Sequence, residues 1–502
     1  MLGLPKIRLE AVACFERDVA LRLPFRFGAT TLTRSTQAVV RVVVALEDGG
    51  SATGVAAETL AAKWFDKNPA FSDEQNLQQL RQSLLLAIGH YRARRFSTPF
   101  ALFASSYQDQ LASGAELGLV PLVASFGPAL LDRAILDALG RVREQSFAQL
   151  IAGNAAGIAA PGELVGDLAG FDLTQFLARL RPRPAIAVRH TVGLADPIVM
   201  ADQHPADRIG DGLPETLEEV VRRYAQRYYK LKVGGAIDAD LDRLTRIAAV
   251  LDREAGDYRV TLDGNEQYDC AEAVAELWRR MRERPALARL AAASLFIEQP
   301  IGRARALATS VADLARQIPL IIDESDGELA SFPAALSLGY RGVSSKSCKG
   351  LYKSILNAAR IAKLNAHAGR TEYFMSGEDL TTLAGVSVQQ DLALVALLGL
   401  SHVERNGHHF VDGMSFAPEA EQAAFVDAHP DLYSRSGGPA RLVVDHGQLR
   451  LGSLECPGLA VAAAMDFAAM RPMPPAPGRR IAPAHPERAP KHVPEHAPEH
   501  AR

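Results

Sequence analysis

Tyr229-Lys230-Leu231-Lys232-Val233-Gly234-Gly235 is the stretch on which the fold turns. In a β-strand successive side chains point to opposite faces, so Lys230 and Lys232 project the same way. Two ammonium groups side by side repel each other and persist only where something compensates. Downstream, acids close apolar, strand-like runs: Asp263 in Leu262-Asp263-Gly264-Asn265, Glu298 in Phe296-Ile297-Glu298-Gln299-Pro300, and Asp323 in Ile321-Ile322-Asp323-Glu324-Ser325. A further lysine, Lys346, closes Val343-Ser344-Ser345-Lys346. The pattern reads as two lysines facing each other across a metal ion held by three carboxylates.

The intervals between these residues are 31 from Lys232 to Asp263, 35 to Glu298, 25 to Asp323 and 23 to Lys346. Each is roughly one strand–helix unit. Candidate strands at 185–190, 228–233, 259–263, 294–298, 319–323, 342–346, 371–375 and 400–404 alternate with helical runs at 239–253, 271–283, 304–317, 351–365 and 385–398. Eight such units predict a closed (β/α)₈ TIM-type barrel over residues 184–412, with its active site at the C-terminal ends of the strands. Residues 1–183 read instead as an N-terminal α+β capping domain. Ala38–Leu46 is rich in β-branched residues, ends at Glu47-Asp48-Gly49-Gly50 and predicts a hairpin with 51–57; helices follow over 73–95 and 128–151. After residue 412 the alternation stops. Residues 413–470, with a hairpin pattern over 440–451, are expected to pack back on the cap. Residues 471–502, dominated by Pro, His, Glu, Arg and Ala, are expected to form a disordered tail, its four histidines (His485, His492, His496, His500) solvated.

At 502 residues the chain can bury a large core, and its 48% hydrophobic and 23% charged composition is that of a soluble globular protein. A net charge of −3 gives no electrostatic case for nucleic acid or an anionic membrane as partner. The four cysteines lie far apart, which fits a reducing compartment, and no apolar stretch reads as a signal or a span, so a cytoplasmic protein is expected.

Three carboxylates without histidine or cysteine suit a hard divalent cation, Mg²⁺ or Mn²⁺. Such an ion stabilises the charge that develops when the C–H next to a substrate carboxylate loses its proton. A lysine beside a divalent cation and a second lysine has its charged form disfavoured and can act as the base. Strands two and six of an eight-stranded barrel are opposed, so Lys232 and Lys346 would face opposite sides of a planar enolate. Any one of these residues alone is more often a surface charge or a helix cap; it is their order and spacing that carry the signal.

These residues resemble the enolase superfamily, and within it the mandelate racemase/muconate lactonizing enzyme group, for which lysine or histidine bases and Mg²⁺ are general features. The resemblance extends to Leu23-Pro24-Phe25-Arg26-Phe27-Gly28, the 128–140 helix and Glu455-Cys456-Pro457-Gly458-Leu459. It implies that Asp263, Glu298 and Asp323 bind the metal and that Lys232 and Lys346 form the acid/base pair with Lys230 in support. It also implies that Asn265 and Glu324 contact substrate or brace the site. Tyr373-Phe374-Met375-Ser376-Gly377 lacks the histidine of the racemase branch, which favours a two-lysine arrangement. His408 and His409 are candidate substrate contacts, and Arg26, Trp64 and Phe65 are candidate cap residues shaping the pocket. The expected activity is Mg²⁺-dependent proton abstraction α to a carboxylate through a metal-stabilised enediolate, as a racemase, epimerase or cycloisomerase. The alternatives are an acid-sugar dehydratase and a catalytically silent binding protein. A homo-oligomer acting on a small-molecule carboxylate is expected.

Overall fold

The computed structural model describes residues 4–27 and 30–483. Two long antiparallel strands, β1 (Ile7–Phe27) and β2 (Thr30–Leu46), pair with β3 (Ser51–Thr59) to form the cap sheet. The alternation of Val40, Val42 and Val44 buries one face of β2 against helices α1 (Asp73–Arg92) and α3 (Phe126–Val142). Between these helices in sequence runs α2 (Pro99–Glu116), started by the Thr98 side chain accepting from Ala101 N and by Pro99 in the first turn. At Gly54, β3 meets α3 so closely that a Cβ would lie 2.1 Å from the Ala134 carbonyl oxygen, so only glycine fits.

Eight parallel strands then close into a barrel: β4 (Ala185–Val192), β5 (Tyr228–Lys232), β6 (Arg259–Asp263), β7 (Ser294–Glu298), β8 (Leu320–Ile322), β9 (Gly342–Ser345), β10 (Phe374–Gly377) and β11 (His402–Glu404). Closure is by β11 against β4. Tyr229 and Leu231 pack outward into the apolar layer between strands and helices, which turns Lys230 and Lys232 inward. The register sets Lys232 beside Asp263 and Asp263 beside Glu298 on three consecutive strands.

Some expectations shift. The helix expected over 128–151 ends at Val142, because Glu144 takes a left-handed φ of 51° and Ser146 then starts a second helix, Phe147–Ala152, through a capping box with Gln149. The seventh barrel strand begins at Phe374 rather than 371, because Asn365 Oδ1 accepts from the backbone N–H groups of Glu372 and Tyr373 and holds them in a loop. The run at 304–317 forms two single turns, Arg303–Ala306 and Ala312–Ala315, and not one helix. The two arms of 440–451 meet only at the Asp445–Gln448 turn: Arg441–Leu442 pairs with Tyr433–Ser434, and β12 (Gln448–Arg450) joins the barrel sheet against β4.

The expected tail needs a correction as well. Residues 471–483 lie on the cap: β13 (Arg471–Pro472) pairs with β1. Gln82 Nε2 donates to the Pro477 and Arg479 carbonyls at 2.6 and 2.7 Å, and Gln75 Nε2 donates to Ala482 O at 2.6 Å. An extended Pro-rich chain presents free carbonyls, and two glutamines on one face of α1 meet them. The four tail histidines lie outside the described residues. Among the described residues no helix is long and apolar enough to cross a membrane.

Candidate active site

The ends of strands β5 to β9 bring the inward polar residues together under the cap. Lys230 lies deepest, with its Nζ 2.8 Å from each of Asp263, Glu298, Glu378 and Glu404. Burial alone would push its pKa down, but the field of the four carboxylates outweighs it and holds the pKa well above the usual lysine value. Lys232 Nζ lies 2.6 Å from Asp263 Oδ2. Across the barrel Lys346, one residue beyond β9, lies 2.5 Å from Asp323 Oδ2, with its ammonium 4.1 Å from the Trp64 ring centroid. Burial opposes the charge on Lys346, and Asp323 overcomes it, so its pKa is also raised. Asp323 carries a second cation, Lys349, at 3.3 Å from Oδ1, and accepts from Ser344 Oγ.

The donor set of Asp263, Glu298 and Asp323 fits a hard divalent cation: three buried carboxylates stand at the ends of successive strands, with neither histidine nor cysteine among them. Their present arrangement serves the lysines instead. Each acid faces an ammonium, and among the described residues no three His, Cys, Asp or Glu side chains converge as a metal-holding group. Metal binding therefore requires the ammonium groups to give way.

Asn265 and Glu324 are joined, Asn265 Nδ2 donating to Glu324 Oε1 at 3.1 Å. They also receive the cap: Lys67 Nζ lies 3.1 Å from Glu324 Oε1, 2.7 Å from Glu266 Oε2 and 3.0 Å from the Asn265 carbonyl. Arg303 pairs with Glu266 and donates to the Trp64 and Phe65 carbonyls. This clamp sets Trp64 over the site, while Phe65 packs edge-on to Phe126 in the cap core.

The enclosed cavity is small, about 20 Å³, lined by the three lysines, Asn265, Glu404 and Asn406, and closed from the cap by Phe25, Leu32 and Trp64. It shares Leu32 with an open cleft of about 540 Å³ on the cap that also takes in Arg34, Lys63 and Leu77. Arg26 is exposed near the end of β1 and does not line the cavity. His408 and His409 do not line it either. They sit in the turn Gly407–Phe410, with His409 4.9 Å from the His190 ring and His408 5.4 Å from the Tyr224 ring.

Several residues of this site escape the spacing rule. Glu404 closes β11 in the way Glu298 closes β7, a signal that was there to read. Glu378 stands one residue beyond β10 and comes into view only once that strand is shifted. Lys349 follows Lys346 by three positions as Asp326 follows Asp323, and Lys349 Nζ lies 3.1 Å from Asp326 Oδ2. Arg189 braces Glu378 and the Gly377 carbonyl from β4.

The model of the family described as enolase C-terminal domain-like matches residues 213–463, half of the chain. The chain belongs to the enolase superfamily. Solved structures of similar fold include muconate lactonizing enzyme from Pseudomonas fluorescens complexed with muconolactone (16% identity, 92% of this chain and 98% of that one, TM-score 0.56). Dipeptide epimerase from Enterococcus faecalis V583, complexed with Mg and the dipeptide L-Leu-L-Tyr, matches at 15% identity over 90% of this chain and 99% of that one, with a TM-score of 0.55. 2-Chloromuconate cycloisomerase from Rhodococcus opacus 1CP matches at 19% identity, 92% and 98% coverage and a TM-score of 0.54. At these identities the likeness establishes the shared enolase-superfamily fold. No curated protein matches the sequence.

Proposed function

We propose that the protein is a divalent-metal-dependent enolase-superfamily enzyme that removes the proton α to a substrate carboxylate, as a racemase, epimerase or cycloisomerase. The observation that carries this reading is the pair Lys232 and Lys346. They stand at the ends of strands four places apart in a ring of eight, each on a carboxylate of the acid trio. Asp263, Glu298 and Asp323 would hold Mg²⁺ or Mn²⁺, which supplies Lewis-acid stabilisation of the charge on the substrate carboxylate. Lys232 and Lys346 then take and return the proton from opposite faces of the α-carbon. Lys230, held among Glu298, Glu378 and Glu404, stays protonated and contributes positive charge beneath the substrate. Trp64, Phe25 and Leu32 exclude water above it. The same pair would serve β-elimination, one lysine as base and the other as acid, and product analysis separates the two outcomes.

The test is α-proton exchange of a broad panel of carboxylates in D₂O with Mg²⁺, followed by NMR. Wild type should exchange, and Lys232→Ala and Lys346→Ala should each lose exchange from one face. Absence of exchange across the panel would refute proton abstraction and leave a binding protein.

A further inference from the structure

The open cleft of about 540 Å³ on the cap has largely apolar walls, with Leu32, Leu60 and Leu77 among them. Four charged side chains also line it, Asp18, Arg34, Lys63 and Asp73, of which Asp18, Arg34 and Asp73 are exposed. Among the described residues that line it, none belongs to the acid/base or metal set. An exposed apolar recess of this size with charged groups at its edge marks a place where another segment or ligand sits.

The strap formed by residues 471–483 begins and ends beside this cleft. Arg471 Nη1 lies 2.6 Å from Asp18 Oδ2, so the strap leaves β1 from one wall. It then crosses to α1, where Gln82 holds Pro477 and Arg479, and turns along the helix to Gln75, which holds Ala482. Gln82 and Gln75 stand seven helical residues apart, a rise of about 10 Å. Arg479 and Ala482 stand three residues apart, which spans about 10 Å only when the chain is extended. The strap therefore runs straight along α1 against the helix direction, and at Pro483 it is heading for the helix N-terminus. Asp73 and Leu77, in the first two turns there, line the cleft.

We infer that the cap cleft is the docking site of the chain's own residues 484–502. The sequence continues as Ala484-His485-Pro486-Glu487-Arg488-Ala489-Pro490-Lys491-His492-Val493-Pro494-Glu495, so acids, bases and apolar residues alternate along it. Glu487 and Glu495 suit Arg34 and Lys63, Arg488 and Lys491 suit Asp73 and Asp18, and Val493 with its flanking prolines suits Leu32, Leu60 and Leu77. At about 3.3 Å per residue the segment has several times the reach needed to cross the end of α1 and fill the cleft. Tethered within a few residues of Asp73, it is present at an effective concentration on the order of 1 mM, so even a weak contact is held. Leu32 is shared between the cleft and the inner cavity, so the docked segment covers the outer side of a wall that closes that cavity. The contact stands whether or not the barrel abstracts protons.

Hydrogen–deuterium exchange read by mass spectrometry tests this, comparing the full-length protein with a chain ending at Pro483, which keeps the strap. In the full-length protein the amides of 60–63 and 73–77 should exchange about tenfold more slowly than in the shortened chain, the factor for a segment docked nine-tenths of the time. Barrel peptides should exchange alike in both. A synthetic peptide of residues 484–502, added at about 1 mM to the shortened chain, should restore the slow exchange. Arg34→Glu in the full-length protein, a surface substitution that leaves the core untouched, should move the exchange of 60–63 and 73–77 toward that of the shortened chain. Equal exchange with and without residues 484–502 overturns the inference, as does slowing confined to a surface away from the cleft. Slowing that grows with protein concentration would seat the segment of a second copy there and overturns the tethered contact. An Arg34→Glu protein that exchanges as wild type does overturns the charge pairing on which the docking rests.

Discussion

Lys349 shows how much one residue can settle at this site. Its ammonium lies 3.3 Å from Asp323 Oδ1 and 3.1 Å from Asp326 Oδ2, and it donates to Ser344 Oγ at 2.6 Å. If Asp323 binds a divalent metal as proposed, a cation already on that carboxylate would compete with it. Lys349→Met keeps the stem and removes the charge, so Mg²⁺ affinity should rise about tenfold, the equivalent of one pKa unit of lost repulsion. Calorimetric titration of the variant with Mg²⁺ measures this, and unchanged affinity would show that Lys349 yields at no cost. Among the described residues, the same change leaves Asp326 paired with Lys353 alone, at 3.4 Å. A buried ion pair broken from one side typically costs about 3 kcal/mol, so the urea midpoint should fall even as metal affinity rises. Tighter metal with lower stability is the combination expected.

The turn after β11 shows what pattern can and cannot reveal. The strands of the barrel were legible because each is a short apolar run closed by a polar residue, and the register of β5, β6 and β7 follows from that alone. The turns were not. Asn406 is placed by contacts distant in sequence: its backbone N–H donates to Asp379 Oδ2 at 2.7 Å, and Arg405 pairs with Asp379 and Asp391. Gly407 follows because a Cβ there would lie 2.2 Å from the Thr382 carbonyl. Nothing in Glu404-Arg405-Asn406-Gly407-His408-His409 announces those partners, which is why the two histidines drew attention and the asparagine did not. Gly407→Ala should therefore displace this turn from the 379–382 loop. Catalytic efficiency should drop about tenfold or more, the scale seen for small misplacements of positioning groups, while melting shifts by only a few degrees. A large loss of melting temperature with kcat/KM intact would mean that the turn serves stability alone.

At the scale of the molecule, the cap–barrel arrangement depends on a charged clamp, and that makes it pH-dependent. Glu266, on the turn after β6, faces Lys67 from the cap and Arg303 from the barrel, at 2.7 and 2.8 Å. Burial would raise its pKa, but Arg303 and Lys67 outweigh this and lower it to about 2. A depressed carboxylate adds stability that is fully present above its unfolded pKa, near 4.5, and lost as pH falls through the folded value near 2. Glu266→Gln should accordingly cost on the order of 3 kcal/mol at pH 6. That difference should shrink steadily between about pH 4.5 and pH 2, until variant and wild type unfold alike. Urea melts across that range give the curve, and a difference that stays flat with pH would remove Glu266 as the titrating element of the clamp. The clamp also ties acid stability to the site, because Arg303 holds the Trp64 and Phe65 carbonyls and Lys67 reaches Asn265. Opening it should loosen Trp64 from Lys346 before the barrel itself melts. With only Trp64 and Trp278 in the chain, tryptophan fluorescence in a Trp278→Phe background reports that step directly: in acid its transition should precede the loss of far-ultraviolet circular dichroism.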